Sequence, residues 1–481
     1  MKKMNLLVMS LVSAAALSFT SCSSNDDLAN DNAGQNKVDK FYMTLTVQTP
    51  NSNGTRTVVN KPTVDATKEE SDVTSGTFYL VDANNKIVFT HTITKKEWAE
   101  EKIPTQSTNG KTTLKVPVKD VTAGTTYSVY FLANATSASP LTDVFTSDLA
   151  NKFAKKYSEA NNFAMFNQND ADVKGDSHTV VFTSDNKDAK TPAKVSTINI
   201  ERLTARIDEP KSAATTIQPY AKDATASDEE KKANADAIKA VKGVTLTKYA
   251  ISNVANKTNV MQQWNDATTL SIPTDIAYFQ PTTEFGTKTL LQNYGYFNAV
   301  TTDKSYKDYV FENNSKDAAT SMYFEYTVEL NKEYQDKADI KDGTFYRYNK
   351  VIYSRIQDII DFYKDQKAIF DGKDAKTVVD ELKAAKVDPD SEAKLDEFRK
   401  KYDIEVFNAG KTYYVQKIKD QHLGVANTIQ RNSIYLLNVK NIFNVGAQVP
   451  NGGPDDRTLY YLDVEVSVNP WVLNSYDVDL K

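Results

Sequence analysis

Residues 41–48 read FYMTLTVQ. Apolar side chains alternate here with polar or amphipathic ones, and a period of two is that of a β-strand with one buried face. Pro50 and the polar run 51–56 end the pattern. The stretch predicts a first strand whose apolar face needs a sheet to cover it. The side chains of that face are Phe41, Met43, Leu45 and Val47.

The opposite end of the chain has two runs of the same kind, separated by Pro470. Proline interrupts a ladder because it has no N–H to donate. Chain ends are usually frayed, so strands patterned up to the last residue need a sheet to join. The candidate side chains of this C-terminal series are Leu462, Val464, Val466, Val468, Trp471, Tyr476, Val478 and Leu480.

Between these ends, short alternating runs are separated by Gly, Asn, Asp and Ser clusters, which is typical of antiparallel sandwiches rather than βαβ units. The first set of predicted strands is 77–82, 86–92, 113–118, 127–132, 178–183 and 195–207. The second set is 244–253, 321–330, 344–352, 412–418, 433–442, 459–468 and 472–480. Residues 353–405 have helical periodicity instead, which predicts a helical insertion, more readily a packing or spacer element than an adhesive surface.

Length and charge narrow the class of protein. A chain of 481 residues is too long for one ordinary core, which favours two domains. We place their boundary near residue 209, where the composition shifts to Ala, Lys and Asp. The formal net charge of -5, without a basic stripe, gives no electrostatic reason to bind nucleic acid.

The N-terminus has the layout of an export signal. Lys2 and Lys3 precede an apolar stretch, 6–19, that is too short to span a bilayer comfortably. Cys22 then ends a segment that resembles a lipobox, so we expect its acylation, with plain secretion as the alternative. Because Cys22 is the sole cysteine, the mature chain has no intramolecular disulfide. The acidic run after it resembles the surface-export signal of Bacteroidetes lipoproteins.

The loop after the first strand contains Arg56, the only arginine among the first 201 residues. A trypsin-like protease that cuts between Arg56 and Thr57 would remove both the lipid and the first strand. The open groove would invite a strand from another chain, and the C-terminal series has the required pattern. Head-to-tail insertion does not close, so it gives a filament. The alternative is that both ends pair within one monomer, and the patterning leaves the two readings open.

Catalytic and metal-binding patterns are absent from the sequence. His91, His178 and His422 lie far apart and lack metal-ligand spacing. There is no nucleophile elbow, no phosphate-binding glycine loop and no complete calcium loop. We therefore expect no enzyme activity, no cofactor and no metal. Glycan binding through exposed aromatic side chains stays open, since the chain has 26 Tyr.

Two stretches near the C-terminus carry a family resemblance. They are RNSIYLLNV at 431–439 and VEVSVNPWVLNSYDVDL at 464–480. Together they resemble the C-terminus of the Bacteroidetes fimbrilins, most closely the major structural subunit of short fimbriae, the type V pili. The runs 129–136 and 200–207 resemble strands of the N-terminal domain of that family.

The resemblance implies a mainly β chain with two transthyretin-like antiparallel β-sandwich domains. The segments would be a signal peptide (1–21), a propeptide with the removable first strand (22–56), an N-terminal sandwich (57–209), a C-terminal sandwich (210–457) with the insertion 353–405, and a donor segment (458–481). It also implies export to the outer membrane surface, cleavage, and assembly into a fimbrium with other copies and related pilins. Host or bacterial surface ligands are further expected partners. The alternative is a surface-anchored lipoprotein that acts as a pilus anchor or a glycan-binding adhesin.

Overall fold

Strands dominate the chain, and helices are few. The computed structural model describes residues 40–49, 64–101, 111–135, 140–150, 152–168, 178–221, 225–266, 269–279, 297–365, 369–420, 427–450 and 462–473. The strands up to residue 212 are β1 (Phe41–Gln48), β2 (Val64–Ala66), β3 (Gly76–Val81), β4 (Ile87–Ile93), β5 (Lys111–Val118), β6 (Thr126–Ala133), β7 (Asp148–Ala150), β8 (Ser158–Glu159), β9 (Asn162–Phe163), β10 (Met165–Asn167), β11 (Thr179–Val181), β12 (Ala193–Lys194), β13 (Ile198–Arg202), β14 (Ala205–Asp208) and β15 (Lys211–Ser212).

The later strands are β16 (Val241–Ser252), β17 (Val254–Ala255), β18 (Lys257–Asn259), β19 (Gln263–Trp264), β20 (Leu270–Ser271), β21 (Tyr278–Phe279), β22 (Asn298–Ala299), β23 (Lys307–Val310), β24 (Ser321–Leu330), β25 (Phe345–Tyr348), β26 (Val351–Tyr353), β27 (Glu405–Phe407), β28 (Lys411–Lys417), β29 (Ser433–Ile442) and β30 (Leu462–Leu473). The α-helices of the described ranges are α1 (Lys95–Glu101), α2 (Asp228–Ala240), α3 (Lys332–Lys337), α4 (Ile356–Tyr363), α5 (Ala375–Val387) and α6 (Ser391–Tyr402).

The first half of the chain forms two packed layers. In one layer β1 lies between β5 on one side and β12 with β13 on the other. In the second layer β10, β6, β3 and β4 follow one another, and β13 joins the layers by also pairing with β10. Inward side chains of both layers share one hydrophobic cluster, the first core. This is the arrangement of a sandwich. Members of the first core are Phe41, Leu45, Phe78, Leu80, Leu114, Val116, Val129, Phe131, Ile198 and Ile200.

The second half repeats this organisation. One layer contains, in order, β2, β30, β29, β14 and β23, and the other contains β22, β16, β24 and β28. Their facing side chains form a separate cluster, the second core. It includes Ile207, Val244, Leu246, Tyr249, Met322, Phe324, Tyr326, Tyr414, Leu437 and Val439. The chain is therefore mainly β and built from packed sheets, as its sequence predicts.

The predicted strand 195–207 is two strands in two different sheets. β13 ends at Arg202 and β14 begins at Ala205, and β14 pairs with β29 and β23 rather than with the first layer. Leu203 is buried in a third cluster beside Phe166 and Phe311, and its N–H donates to the carbonyl of Ala164 over 3.0 Å. The apolar alternation shifts by one residue at this point, from Ile198 and Ile200 to Leu203, Ala205 and Ile207, and this shift marks the change of sheet. The domain boundary near residue 209 stays a prediction.

A helical insertion interrupts the second set of strands, as predicted. Helices α4, α5 and α6 lie between β26 and β27 and bury their own cluster, which includes Ile359, Leu382 and Leu395. The side chain of Asp374 caps α5 by accepting a hydrogen bond from the N–H of Thr377 over 2.7 Å. The helices therefore pack around a core that is separate from the first and second cores and that they share with Tyr346 and Tyr348 of β25 and Val406 of β27.

Candidate functional site

Strand β1 is an interior strand although it lies near the N-terminus. It pairs with β5 in antiparallel register along its whole length, from Phe41 opposite Val118 to Gln48 opposite Lys111. Its other edge pairs in parallel with β12 at Met43 and Thr44 and with β13 at Val47 and Gln48. We call the space that β1 occupies between these strands the β1 groove.

The apolar side chains of β1 fill the β1 groove completely. Phe41, Met43, Leu45 and Val47 are each at most 2% exposed, as their alternation predicts. The Phe41 ring meets that of Phe182 edge-on, with centroids 5.5 Å apart. Burying four such side chains stabilises the sheet by about 6–12 kcal/mol at roughly 1.5–3 kcal/mol each. Loss of β1 would expose matching apolar walls on β5, β12 and β13.

Hydroxyl groups on the other face of β1 fix its register. The Thr44 hydroxyl donates to the carbonyl of Ala193 over 3.3 Å, and the N–H of Val195 donates to the carbonyl of Thr44 over 3.1 Å. The hydroxyls of Thr46 and Thr113 lie 2.8 Å apart across the β1–β5 ladder. A one-residue slip would turn every apolar side chain away from the core, so these contacts and the burial pattern select the same register.

The first part of the C-terminal series is β30, which pairs within the subunit. Its antiparallel ladder with β29 runs from Leu462 opposite Ile442 to Pro470 opposite Ser433. Beyond that pair, Trp471–Leu473 run parallel to β2. The predicted positions Leu462, Val464, Val466, Val468 and Trp471 thus belong to a strand. Cys22, Arg56, Thr57, Tyr476, Val478 and Leu480 lie outside the described residues.

Strand β29, which pairs with β30, touches both cores. Ile434 is buried in the first core together with the β1 side chains. Its neighbours Tyr435, Leu437 and Val439 are buried in the second core. Because side chains alternate across a strand, one strand serves two cores. The β1 groove is therefore linked to β30 through β29, whose Ile434 packs in the first core and whose backbone pairs with β30.

A buried polar network crosses the region between the cores. The fully buried Arg202 guanidinium donates to the carbonyl of Glu70 over 2.7 Å, to the Ser71 hydroxyl over 3.0 Å and to the side-chain oxygen of Asn432 over 2.9 Å. Burial lowers the pKa of Arg202 to about 9, against the opposing charge of Glu70. The group is therefore still a cation at neutral pH.

Arg431, from the stretch 431–439 that carries the family resemblance, is fully buried and precedes Asn432, the partner of Arg202. Its guanidinium lies 2.7 Å from the Glu312 carboxylate and donates to the carbonyls of Val260 and Asn259 over 2.9 and 2.6 Å. These contacts occupy the side chain inside the protein, so its role is structural.

The Glu70 carboxylate is the acceptor at the edge of this network. It accepts hydrogen bonds from the Tyr309 hydroxyl over 2.8 Å and from Arg206 and Lys307, each over 3.2 Å. Burial alone would raise the pKa of Glu70, but the Thr67 N–H, the Tyr309 hydroxyl and the two cations hold it below its ordinary value. Glu70 is thus a charged, fixed residue just after β2. We call these contacts, with those from Arg202, the Glu70 anchor.

A cleft of about 480 Å³ lies between β16, β23 and the segment around Ser158. Within its wall the Asp308 carboxylate accepts a hydrogen bond from the Tyr249 hydroxyl over 3.1 Å. Burial, with the nearby carboxylates of Asp208 and Glu209, raises the pKa of Asp308 from 3.8 to about 6. Tyr306 on the rim is 49% exposed. The cleft combines an aromatic ring with polar groups, which could accommodate a small polar ligand.

Within the described ranges, no group of three or more His, Cys, Asp or Glu side chains is placed to hold a metal ion. His91 packs beside Phe78 with ring centroids 5.5 Å apart, His178 meets Tyr130 edge-on, and His422 lies outside those ranges. Burial lowers the pKa of His91. Among the helices of the described part of the chain, none is long and apolar enough to cross a lipid bilayer.

Sequence reasoning missed Glu70 and Glu312 as partners of the buried arginines. Charged side chains inside alternating runs are a signal, since Arg, Glu and Asp are almost never fully buried unless paired. That signal marks Arg202 and Arg206 in the run 198–208, but it does not identify the partner. Glu70 sits in a polar turn, and its sequence neighbours do not indicate that it is buried.

The C-terminal part of the chain matches a known family. Residues 405–477 match the family described as "Major fimbrial subunit protein type IV, Fimbrillin, C-terminal". The matched range contains β28, β29 and β30, and with them Arg431 and Asn432. The family resemblance predicted from the sequence is thus confirmed. No curated protein sequence matches the chain.

Solved structures that match the chain with low TM-scores come from Parabacteroides distasonis and Porphyromonas gingivalis. A candidate cell adhesion protein from Parabacteroides distasonis has a TM-score of 0.42 and 13% identity, and the match covers 90% of this chain and 97% of that one. A fimbrial assembly protein from the same species has a TM-score of 0.32 and 13% identity, over 60% and 82% of the two chains. The fimbrial anchor protein Mfa2 from Porphyromonas gingivalis has a TM-score of 0.30 and 8% identity, over 90% and 100%.

Proposed function

We propose that this chain, whose residues 405–477 match the fimbrilin family, is a shaft subunit of a type V pilus. In this proposal it is exported as a lipoprotein acylated at Cys22, reaches the outer membrane surface and is cleaved between Arg56 and Thr57. The cleaved subunit then polymerises head to tail, with its C-terminal tail in the β1 groove of a neighbouring copy. The family supports the coarser role of a fimbrial subunit or anchor.

One observation carries the proposal. Strand β1 is paired on both edges and fully buried on one face, yet the sequence that follows it contains Arg56, a candidate site for a trypsin-like protease. Between β1 and β2 the basic residues are Arg56 and Lys61, and Lys61 is followed by Pro62. Proline restricts the residue before it and offers no N–H. Arg56 is therefore the better site for a trypsin-like protease.

The tail beyond Pro470 supplies the replacement strand in this proposal. The ladder with β29 ends at Pro470, and Tyr476, Val478 and Leu480 continue the apolar alternation of the chain. Three such side chains contribute about 5–9 kcal/mol on insertion, at roughly 1.5–3 kcal/mol each and before ordering costs. Backbone pairing of the inserted tail with β5 and β13 would also fix the register of the tail in the groove.

Paired substitutions in the tail test the proposal. Val478→Asp places a charge in the apolar series, whereas Asp479→Asn changes only the polar series. After cleavage, sedimentation and electron microscopy should show filaments for the wild type and Asp479→Asn, and at least about tenfold fewer for Val478→Asp, because burying an unpaired carboxylate is costly. Deletion of residues 472–481 should leave a folded monomer. Normal filaments from Val478→Asp or from the deletion would refute the donor role.

A second function is favoured by a different observation. Strand β30 pairs with β29 and β2 inside the subunit, as expected for a chain that stays monomeric on the cell surface as a pilus anchor or a glycan-binding adhesin. N-terminal sequencing of the surface protein separates the two functions. A start at Thr57 supports the shaft subunit, and a lasting acylated Cys22 supports the anchor or adhesin. Arg56→Ala should abolish the start at Thr57, whereas Arg56→Lys, which keeps a basic residue, should retain it.

A further inference from the structure

Two different elements hold the C-terminal strand along its length. From Leu462 to Pro470 the partner is β29, and Trp471, Val472 and Leu473 pair with β2 instead. Within the described part of the chain, the end of β30 is therefore held by a strand of three residues. Short parallel pairs are weak by themselves, so the support that β2 receives decides whether the end of β30 stays in place.

On its C-terminal side, β2 is held by the Glu70 anchor. One residue, Thr67, separates β2 from the short helix Lys68–Glu70. The carboxylate and carbonyl of Glu70 bind Arg206, Lys307, Tyr309 and Arg202. All four of these residues follow the protease site in the sequence. The anchor therefore remains after cleavage.

On its N-terminal side, β2 depends on β1. Ala66 is 8% exposed and belongs to the first core, in the same cluster as Phe41, Met43, Leu45 and Val47. The chain also connects β2 to β1 through residues 50–63. Removal of β1 takes away both the covalent connection and part of the apolar cluster that covers Ala66. After cleavage the chain would begin at Thr57, so β2, which begins at Val64, would lie seven residues from a free chain end.

We propose that β2 is a latch that holds the end of the C-terminal strand on its own subunit until β1 is removed. This inference rests on the proposed strand exchange and gives it an order of events. While β1 is present, Trp471–Leu473 are paired and the tail is retained. Once β1 leaves, β2 frays from its free end, because chain termini without packing are poorly ordered. The tail is then released in the same step that opens the β1 groove, and premature assembly is avoided.

A disulfide across the latch tests this order. Asp65 lies opposite Val472, so Asp65→Cys with Val472→Cys, in a Cys22→Ser background, places one reducible bond between β2 and β30. The matched control is Thr77→Cys with Thr92→Cys, a directly opposed pair on β3 and β4. After cleavage under oxidising conditions, the latch variant should polymerise at least about tenfold more slowly than the control, and reductant should restore its rate. Equal rates with the latch disulfide formed would overturn the proposal.

Hydrogen exchange separates failure of the latch from failure of strand exchange. In dilute wild-type protein, cleavage with loss of residues up to Arg56, confirmed by mass, should reduce protection of the Trp471–Leu473 amides by at least about tenfold. Amides of β24, which lie in the other layer, serve as the reference. Unchanged protection of Trp471–Leu473 would refute the latch even if filaments form. Reduced protection in a chain that never forms filaments would support the latch and refute the proposed strand exchange.

Discussion

Arg202 and Asn432 are 230 positions apart in the sequence, and the guanidinium of the first donates to the side-chain oxygen of the second over 2.9 Å. The N–H of Asn432 also donates to the carbonyl of Thr204 over 2.9 Å. Each residue lies in one of the stretches that resemble the fimbrilins. The two stretches therefore meet at these buried hydrogen bonds as well as along the pairing of β14 with β29, and together these contacts fix the first layer of strands to the sheet that carries β30.

Shortening a buried side chain of β1 should lower the stability of the chain only before cleavage. Leu45 is fully buried opposite Leu114 of β5, so Leu45→Ala should lower the free energy of unfolding of the intact chain by about 2–5 kcal/mol through lost burial and a cavity. Urea denaturation should show no effect of this substitution once β1 has been removed. Leu330→Ala is the matched control, because Leu330 is buried in the second core, away from β1, and its substitution should destabilise both forms. An equal loss from Leu45→Ala before and after cleavage would contradict the removal of β1.

Breaking the Arg431–Glu312 pair should be costly. Both side chains are buried and lie 2.7 Å apart, so Arg431→Met should reduce the free energy of unfolding by about 3–5 kcal/mol, because it leaves a buried carboxylate without its cation. Adding Glu312→Gln should recover part of the loss. Chemical denaturation of the two single variants and the double variant gives the coupling energy. Strictly additive losses would mean that the two side chains do not act as a pair.

Asp308 should make the chain less stable as the pH rises. Its pKa is raised in the folded protein from 3.8 to about 6, so the folded state keeps a proton that the unfolded state has already lost. The stabilisation of the folded state by protonated Asp308 is therefore fully present below about pH 4 and is lost by about pH 6. Relative to Asp308→Asn, the wild type should lose about 2–3 kcal/mol across this range, at 1.36 kcal/mol per pKa unit. Denaturation at several pH values measures the difference, with the exposed Asp317→Asn as the control. A stability difference between the wild type and Asp308→Asn that does not change with pH would contradict the raised pKa of Asp308.

The insertion should unfold without the sandwiches. Leu382 is fully buried in the separate core of α4–α6, whereas Phe362 is 65% exposed. Leu382→Ala should destabilise that core by about 2–5 kcal/mol, and Phe362→Ala should have little effect. Limited proteolysis should then cut the Leu382→Ala variant within 356–402 and leave β24 protected against hydrogen exchange. Loss of protection in β24 would show that the insertion and the second core unfold together.

The strands could be predicted where burial is one-sided. The run 41–48 alternates strictly because one face of β1 packs on the first core. The predicted strand 433–442 has the bounds of β29, whose successive side chains face two different cores. The predicted strand 344–352 is instead the hairpin of β25 and β26, which turns at Asn349 and Lys350, both with positive φ. Lys350 is an unusual residue for such a turn, so its sequence signal is weak.

The polar network could not be predicted, because its partners are set by tertiary packing. Glu70 accepts hydrogen bonds from residues 136, 237 and 239 positions away. Nothing local to Glu70 distinguishes it from Glu69, which is exposed on the same turn. The latch also depends on register between distant strands, which sequence periodicity does not specify. The sequence identifies Arg202 and Arg206 as buried charges, but it does not identify the residues with which they pair.

In the proposed filament, tension would enter each subunit through β30, the strand that leads to its tail. Pulling on β30 parallel to its axis loads the ladder from Leu462 to Pro470 in shear, so the hydrogen bonds resist together rather than one after another as in peeling. The force passes to β29, and from there into both halves of the molecule through Ile434 on one side and Tyr435 and Leu437 on the other. The β29–β30 ladder would therefore fail before β29 moves, because side chains of β29 are buried in both cores.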